Sequence, residues 1–354
     1  MRALAVLLLY VGVARADGVG AGAAVGAGGQ GSGTYSAIEL GLDAQWRGAR
    51  LGLGGRGVWI NGEWRERDWQ TASDAVRAVR LLEVRADWFA LAGGRLAPAQ
   101  LAHVADGHRA ALDDRPRTGA RVAANGEHAV FGAEIDDVLD PSLVGAALAW
   151  DVTPAARVHA ATAIDPIAEV SAVEFALGRA WRGEHALAEV GGGFVGEPGR
   201  GGHALAFADF AIERGAVRWI ASAEGRAGNG SVGGAFGPLH RLERAMYEDA
   251  SGVGGAISLG AIAERFGWVR ASVRARPAMG PIASAAIGAP MSKWLQAGAW
   301  FAATRRHVAG AGEVRVAWAR HYSTVIEVAR MYDADAMLPT PAWSVTAWFG
   351  ITAN

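Results

Sequence analysis

The stretch Val269-Arg270-Ala271-Ser272-Val273-Arg274-Ala275-Arg276 decides the fold. Read at a period of two, Val269, Ala271, Val273 and Ala275 form one apolar row, and Arg270, Ser272, Arg274 and Arg276 form a polar one. A helix would scatter both rows around its axis. A strand sends successive side chains to opposite faces and keeps them apart. The pattern recurs along the chain. Ile38, Leu40 and Leu42 alternate with Glu39, Gly41 and Asp43, and Trp343, Val345, Ala347, Phe349 and Ile351 alternate with Ser344, Thr346, Trp348, Gly350 and Thr352. Val217, Trp219, Ala221 and Ala223 alternate with Arg218, Ile220, Ser222 and Glu224.

Alternation of this kind fits a soluble sandwich or a membrane barrel. The start of the chain favours the barrel. Met1-Arg2 carries a charge, Ala3 to Val13 is apolar, and Ala14-Arg15-Ala16 places small residues where a signal peptidase reads. Residues 1–16 therefore read as a secretory leader and 17–354 as a single barrel domain. The segments run to about ten residues, the length a tilted strand needs to cross hydrocarbon. The second face carries charge and glycine over more segments than an ordinary sandwich requires. Trp46, Trp59, Trp88, Trp150, Trp181, Trp219, Trp268, Trp318 and Trp343 lie at or near segment ends, as an interfacial girdle would.

Composition narrows the function classes. With 34 basic and 35 acidic residues the chain has no basic excess for nucleic acid. It has no cysteine, which excludes disulfides and thiolate metal sites. Apolar residues make up 51% of the chain, yet beyond the leader no run approaches the ~20 apolar residues of a membrane helix.

The connections alternate in length. Asn125-Gly126 reads as a tight hairpin with positive φ at both positions, and Arg85-Ala86-Asp87, Asp151 to Pro154, Glu213 to Gly215 and Glu264 to Gly267 are similarly short. Asn61 to Asp74, Leu96 to Arg117, Arg226 to Gly254 and Pro277 to Ser292 read as long loops. Tight turns on the periplasmic side and long loops outside give an up-and-down antiparallel transmembrane β-barrel of about 18 strands, with 16 as the alternative. In this count Glu313 to Met331 is one long strand. Helical spacing within 96–117 (Leu101, Val104, Ala105, Leu112) and within Phe236 to Asp249 (Leu239, Leu242, Met246) suggests two loops that could fold inward.

No catalytic motif stands out. Asn229-Gly230-Ser231-Val232-Gly233 lacks the first glycine of a nucleophile elbow. His103, Asp106 and His108 match no zinc spacing. No cofactor or metal is expected. The chemistry lies on the inner face, where the strand phases put Arg50, Arg56, Arg121, Arg157, Arg218, Arg270, Arg274 and Arg315 alongside Glu39, Asp43, Glu134, Glu174, Glu189, Asp209, Glu224 and Glu327. Charge facing a water-filled lumen selects ions by sign. Internal ion pairing in a blocked barrel is the bland alternative.

The stretch Val84-Arg85-Ala86-Asp87-Trp88-Phe89, followed by Gly94-Arg95-Leu96-Ala97-Pro98 and then Thr118-Gly119-Ala120-Arg121, resembles Gram-negative outer-membrane porins of the phosphate-selective type. The resemblance covers about fifty residues of the 354. It implies a porin barrel, commonly a homotrimer, that passes anions. Only Arg95 occupies a matching motif position, and a lysine-based phosphate site does not carry over, since Lys293 is the sole lysine. The C-terminal Phe349-Gly350-Ile351-Thr352-Ala353-Asn354 also departs from the aromatic ending usual for such barrels.

The leading expectation is a passive outer-membrane pore for small hydrophilic solutes with a lean to anions, in contact with lipid and not an enzyme. The alternatives are a non-conducting barrel whose outer loops bind a partner, and an outer-membrane enzyme using the His103–His108 loop. Freed of residues 1–16, the chain is expected to require detergent and to give a mostly β circular-dichroism spectrum. A helical spectrum, or a water-soluble monomer, would contradict the period-two reading.

Overall fold

The computed structural model describes residues 18–30, 32–65, 69–96, 99–108, 117–199, 201–230, 236, 252–263, 266–276, 280–292, 294–319, 321–332 and 341–353. The leader and most of the 226–254 loop, including the helical spacing after Phe236 and the Ser231 segment, lie outside the described residues.

The chain opens with β1 (Gly18–Gln30), β2 (Gly33–Trp46) and β3 (Ala49–Ile60), after which a two-residue β4 (Glu63–Trp64) folds back on β3. A 3-10 helix, Ala72–Ala78, leads into β5 (Val79–Arg85) and β6 (Phe89–Gly94). The short β7 (Ala99–Leu101) and β8 (Ala105–His108) pair only with each other. Then come β9 (Gly119–Asn125), β10 (Ala129–Ile135), β11 (Val144–Thr153), β12 (Ala156–Asp165), β13 (Val170–Arg182), β14 (Ala186–Glu197), β15 (Gly201–Arg214) and β16 (Val217–Gly230). The last are β17 (Gly252–Ala263), β18 (Gly267–Arg276), β19 (Gly280–Ala289), β20 (Leu295–Ala303), β21 (Val308–Ala319), β22 (Tyr322–Tyr332) and β23 (Pro341–Ala353).

Each strand pairs antiparallel with the next in the ring, and β23 pairs with β1, from Ala21↔Ala353 to Gln30↔Ser344. The main sheet has 21 strands; β4 is an appendage, so the closed barrel has 20. Closure satisfies the backbone of every ring strand from both sides. In hydrocarbon that is obligatory, because an open edge would leave a row of unpaired N–H and C=O groups.

The observed number exceeds the expected 18, and two segments account for the difference. Pro277 to Ser292 is not a long loop: Gly280–Ala289 forms β19, its small residues paired from Trp268↔Gly288 to Arg276↔Gly280. Glu313 to Met331 is not one strand: β21 ends at Ala319, and β22 begins at Tyr322 and pairs back on it antiparallel. The single apolar phase of Val314, Val316, Trp318, Tyr322, Ile326 and Val328 hid this turn, because both strands put those residues on the outer face. The hairpin at Asn125-Gly126 exists but turns later. Asn125 stays paired with Val130, the Gly126 N–H donates to the Ala129 carbonyl at 2.7 Å, and neither residue has positive φ. Glu127 and His128 therefore form the tip.

Connections do alternate. At the end where β2 meets β3, β5 meets β6 and β9 meets β10, none exceeds five residues, while the connections 61–78, 95–118 and 231–251 all lie at the other end. The outer face is apolar: Leu40 (59%), Leu177 (58%), Ile257 (61%) and Val273 (54%) are all more than half exposed. Such a large exposed apolar surface is stable only against lipid or a partner. Trp88, Trp150, Trp181, Trp219 and Trp318 ring the tight-turn end, and Trp343 stands near the other. Trp46 and Trp59 share the outer phase. Trp268 does not belong to the girdle. It follows the phase of Arg270 and lines the interior.

The strand phase is testable at adjacent residues. Ala271 faces outward, whereas Ser272 faces inward and meets the Ser284 hydroxyl at 2.7 Å. Ala271→Arg is expected to lower folding stability by ~2–4 kcal/mol in lipid, while Ser272→Arg, which can stay hydrated, is expected to lower it by well under half of that. The measurement is urea-driven unfolding in vesicles followed by tryptophan fluorescence, and equal effects would reverse the phase.

Candidate functional site

The inner face starts from the strand registers. Glu39 pairs across with Arg56, Gln45 with Arg50 and Asp43 with Gly52, so Glu39, Asp43, Arg50 and Arg56 share one face of β2 and β3. The same bookkeeping places Arg121 with Glu134, Arg157 with His159 and Glu189, Arg218 with Glu224 and Arg226, Arg270 with Arg274, and Arg315 with Glu313 and Glu327 on the inner face.

Most of these charges pair along the wall. Arg56 and Arg80 reach Glu39 at 3.0 and 2.6 Å, and Arg121 reaches Glu134 at 2.7 Å. Arg157 bridges Asp151 at 2.7 Å and Glu189 at 3.3 Å. Glu224 receives Arg226 at 3.0 Å and Arg274 at 3.5 Å. Arg218 lies 3.9 Å from Glu213 near the tight-turn end. Asp43, Arg50 and Arg315 are exposed on the inner surface.

Two regions stand out. Beside β2 to β6, Arg56, Arg77, Arg80, Arg95 and Arg117 converge with Glu39 around a small cleft. Asp74 lies 3.6 Å from Arg77, and Asp137 and Asp140 take Arg117 at 3.1 and 2.8 Å. Glu39, with Glu327 also acting on Arg95, faces Arg56, Arg80 and Arg95, so this stretch of wall carries more guanidinium than carboxylate. Arg95 sits just past β6, is exposed, and donates its backbone N–H to the Arg80 carbonyl. Gly54 makes the cluster possible, since a Cβ there would collide with the Arg80 side chain.

The second region is an inward hairpin. The helical spacing at Leu101, Val104 and Ala105 does not make a helix; β7 and β8 are joined by a turn at 102–104 that holds Ala102 at φ 44°. Leu101, Val104 and Ala105 are buried with Leu143, Ala161, Ala163, Ala172 and Val195 on or beside the wall of β11 to β14, and with Phe236 from the connection after β16. Phe236 donates its N–H to the Val104 carbonyl at 2.8 Å. Small wall residues make room: a Cβ on Gly145 would lie 2.5 Å from Leu101 Cδ1 and 2.7 Å from the Thr162 carbonyl. The tip is held by polar bonds. His103 donates its backbone N–H to Glu174 Oε2 at 2.9 Å, its Nδ1 lies 2.7 Å from Glu174 Oε1, and Arg226 Nη2 donates to its carbonyl at 2.5 Å. The Phe207 ring packs against the imidazole at a tilt of 41°, with centroids 4.6 Å apart.

Open space remains beside the hairpin. A cavity of about 900 Å³ reaches from Arg121, Glu134 and His159 on one wall to Arg270, Ser272, Ser284, Glu313 and Glu327 on another. A second, of about 500 Å³, lies between His103 and His159 and the wall of Asp209, Ser222, Glu224, Ser258 and Arg270. Ser222, Ser258, Ser272 and Ser284 are successive register partners across β16 to β19, with Ser222–Ser258 at 2.6 Å and Ser272–Ser284 at 2.7 Å. The belt is polar but uncharged.

Several inner residues escape the sequence reading. Leu205 and Phe207 follow His203 and point inward in phase with Asp209, and Trp300 also faces inward, whereas Trp348, under the Arg56 guanidinium at 4.5 Å, faces inward as its place in the row of Ser344 and Thr346 implies. The rule that apolar residues face lipid misses Leu205, Phe207 and Trp300; the position of Phe207 two residues from Asp209 was the available signal. Among the described residues no group of three His, Asp or Glu side chains is arranged for a metal. His103 is engaged with Glu174, and the Asp106 and His108 side chains lie outside the described residues.

No family model matches the chain, and no curated protein sequence matches it. Solved structures similar to it include Pseudomonas aeruginosa OccK3 (OpdO), at 9% identity over 98% of this chain and 97% of that one, with a TM-score of 0.39. Acinetobacter baumannii OccAB1 is similar at 11% identity, 97% and 99% coverage and a TM-score of 0.35. A BenF-like porin from Pseudomonas fluorescens Pf-5 is similar at 8% identity, 96% and 100% coverage and a TM-score of 0.36. The barrel itself rests on the strand pairing described above.

Docking of the hairpin is expected to depend on Gly145. Overpacking there by Gly145→Val strains the contact by ~1–3 kcal/mol, enough to raise the undocked fraction about tenfold. A cysteine introduced at the buried Val104, in a chain with none of its own, reports this as faster alkylation by a water-soluble reagent. An unchanged rate would mean that the hairpin does not lean on β11.

Proposed function

We propose that the chain is a non-enzymatic outer-membrane porin-like channel that lets small hydrophilic solutes diffuse passively, with a lean to anions. The observation that carries this reading is the 900 Å³ space running between inner walls of a closed ring that is apolar outside. Among its many apolar lining residues stand the charged Arg121, Glu134, Arg270, Glu313 and Glu327 and the hydroxyls of Ser272 and Ser284, which give hydrated solutes polar groups to meet. The ring is orientated with its tight turns in the periplasm and the 61–78, 95–118 and 231–251 connections outside. Residues 1–16 act as the cleaved export signal.

The lean to anions is supported by the wall beside β2 to β6, where Arg56, Arg80 and Arg95 outnumber the carboxylates Glu39 and Glu327. Arginine stays protonated at any physiological pH, so this field is permanent. It acts locally, because charges across an aqueous lumen are screened beyond about 8 Å at physiological salt. The inward hairpin favours a second reading, a barrel blocked at that level and non-conducting.

Purified protein in planar bilayers distinguishes the two. Stepwise conductance is expected, and its absence from correctly folded protein would support the blocked barrel. Reversing two inner charges, Arg95→Glu with Arg270→Glu, is expected to move the reversal potential in a salt gradient toward cation preference. A conducting variant with an unmoved reversal potential would take these residues off the solute path.

A further inference from the structure

The hairpin is docked by two unlike kinds of contact. Its flank is apolar, through Leu101, Val104 and Ala105. Its tip is polar, and the described bonds that tie it to side chains of the barrel wall all end on one residue, His103. We propose that His103 is a positioning residue that latches the constriction hairpin to the wall, and that protonation of its imidazole sets how firmly the narrow part of the channel is held. This rests on the channel reading for its consequence, but not for the latch itself.

The surroundings of His103 are acidic on the side that holds it. Glu174 on β13 takes both its ring nitrogen and its backbone N–H. Asp209 and the Phe207 ring approach from β15, and Glu224 with Arg226 from β16. His159 on β12 stands edge-on at 6.5 Å between centroids, but is bound to Glu189 of β14, which also takes Arg157. Glu134 on β10 is taken by Arg121, and Arg274 on β18 by Glu224. Glu174 thus has His103 as its close cationic partner among the described contacts, while the neighbouring carboxylates Glu134, Glu189 and Glu224 have arginines.

That difference makes the latch titratable. An arginine pair keeps its charge, whereas an imidazole loses it near neutrality. His103 sits in the turn of the hairpin rather than on a spanning strand. Burial works against its charged form, but the Glu174 hydrogen bond and charge, with Glu224 and Asp209, outweigh burial and hold its titration above the ordinary value of 6.5. For a group whose value is raised on docking, the stabilisation is complete below the undocked value and is lost as pH rises through the docked one. The latch is therefore strongest below about pH 6.5 and weakens at alkaline pH. Deprotonation leaves a neutral N–H to carboxylate bond, so the hairpin loosens rather than leaves.

The test uses the full-length protein in vesicles with a nitroxide on Ala102→Cys, at the exposed tip beside His103. Its spectrum reports hairpin mobility whether or not the barrel conducts. The mobile fraction is expected to rise about fivefold between pH 6 and pH 9, the change expected when a charge-assisted hydrogen bond becomes a neutral one. His103→Gln, which keeps a donor but cannot titrate, is expected to give a flat profile. His159→Gln serves as the comparison and is expected to keep the rise. A pH-independent spectrum in the unmodified sequence, a rise that survives His103→Gln, or one abolished only by His159→Gln would each overturn the latch. Open-channel current noise measured over the same pH range is expected to follow the nitroxide. Mobility that changes with pH in a barrel that carries no current would refute the channel reading and leave the latch standing.

Discussion

Everything in this structure depends on the hydrogen bonds between the first and last ring strands. β1 is nearly all glycine and alanine, and by propensity it is a poor strand. It is held because β2 and β23 fill both of its edges. Its composition serves close approach: a Cβ at Gly28 would collide with the Val345 carbonyl, and one at Gly26 would press into the Trp348 ring. Trp348 in turn supports Arg56, which binds Glu39. The seam that closes the ring and the charged cluster on its inner wall are thus packed together, and a side chain added at the seam would reach the cluster through one indole.

The same exchange of side-chain volume for proximity recurs at the hairpin. The wall of β11 to β14 is lined inside by Gly145, Ala161, Ala163 and Ala172, and the hairpin supplies the missing bulk with Leu101 and Val104. Neither surface makes a core alone. A wall of large side chains would fill its own half of the lumen, while a wall of small ones accepts an insert and leaves the rest open. The abundance of Gly and Ala, which base composition alone would explain, has structural use at these positions.

Much of this was legible in the sequence because strand periodicity is a local property. Period two at Val269–Arg276 or Val217–Glu224 fixes the phase of each strand without knowledge of its neighbours, and the inner and outer faces follow. Turn positions were less legible. The chain reverses between Ala319 and Tyr322 inside a continuous alternation, and Gly280–Ala289 alternates too weakly to be seen as a strand, because both faces there carry small residues. The hairpin was misread as helical because Leu101, Val104 and Ala105 are brought to one side by a turn with positive φ, which mimics helical spacing over a few residues. The site contacts were not legible at all. The apolar spacing of 96–117 suggests a loop that folds inward, but His103 and Glu174 are 71 residues apart, and no local pattern announces which strand such a loop will meet.

The distribution of ion pairs separates the charges that build the wall from those that can act on a solute. A carboxylate held by arginine beside it contributes mainly a dipole at a distance, since the two charges cancel within a few ångströms. Glu134, Glu189 and Glu224 are of this kind, as are the arginines that hold them. Their effect is to keep neighbouring strands in register at mid-wall, where the serine belt adds no charge. The field that reaches the lumen comes from groups left over after this pairing. Arg95 is one, exposed beside a carboxylate already shared by Arg56 and Arg80. Asp209 is another, facing the smaller cavity and accepting no hydrogen bond from a described residue. The inner arginines and acids are numerous, but the electrostatic character of the space between them is set by these few, and the hairpin tip at His103 stands beside one of them.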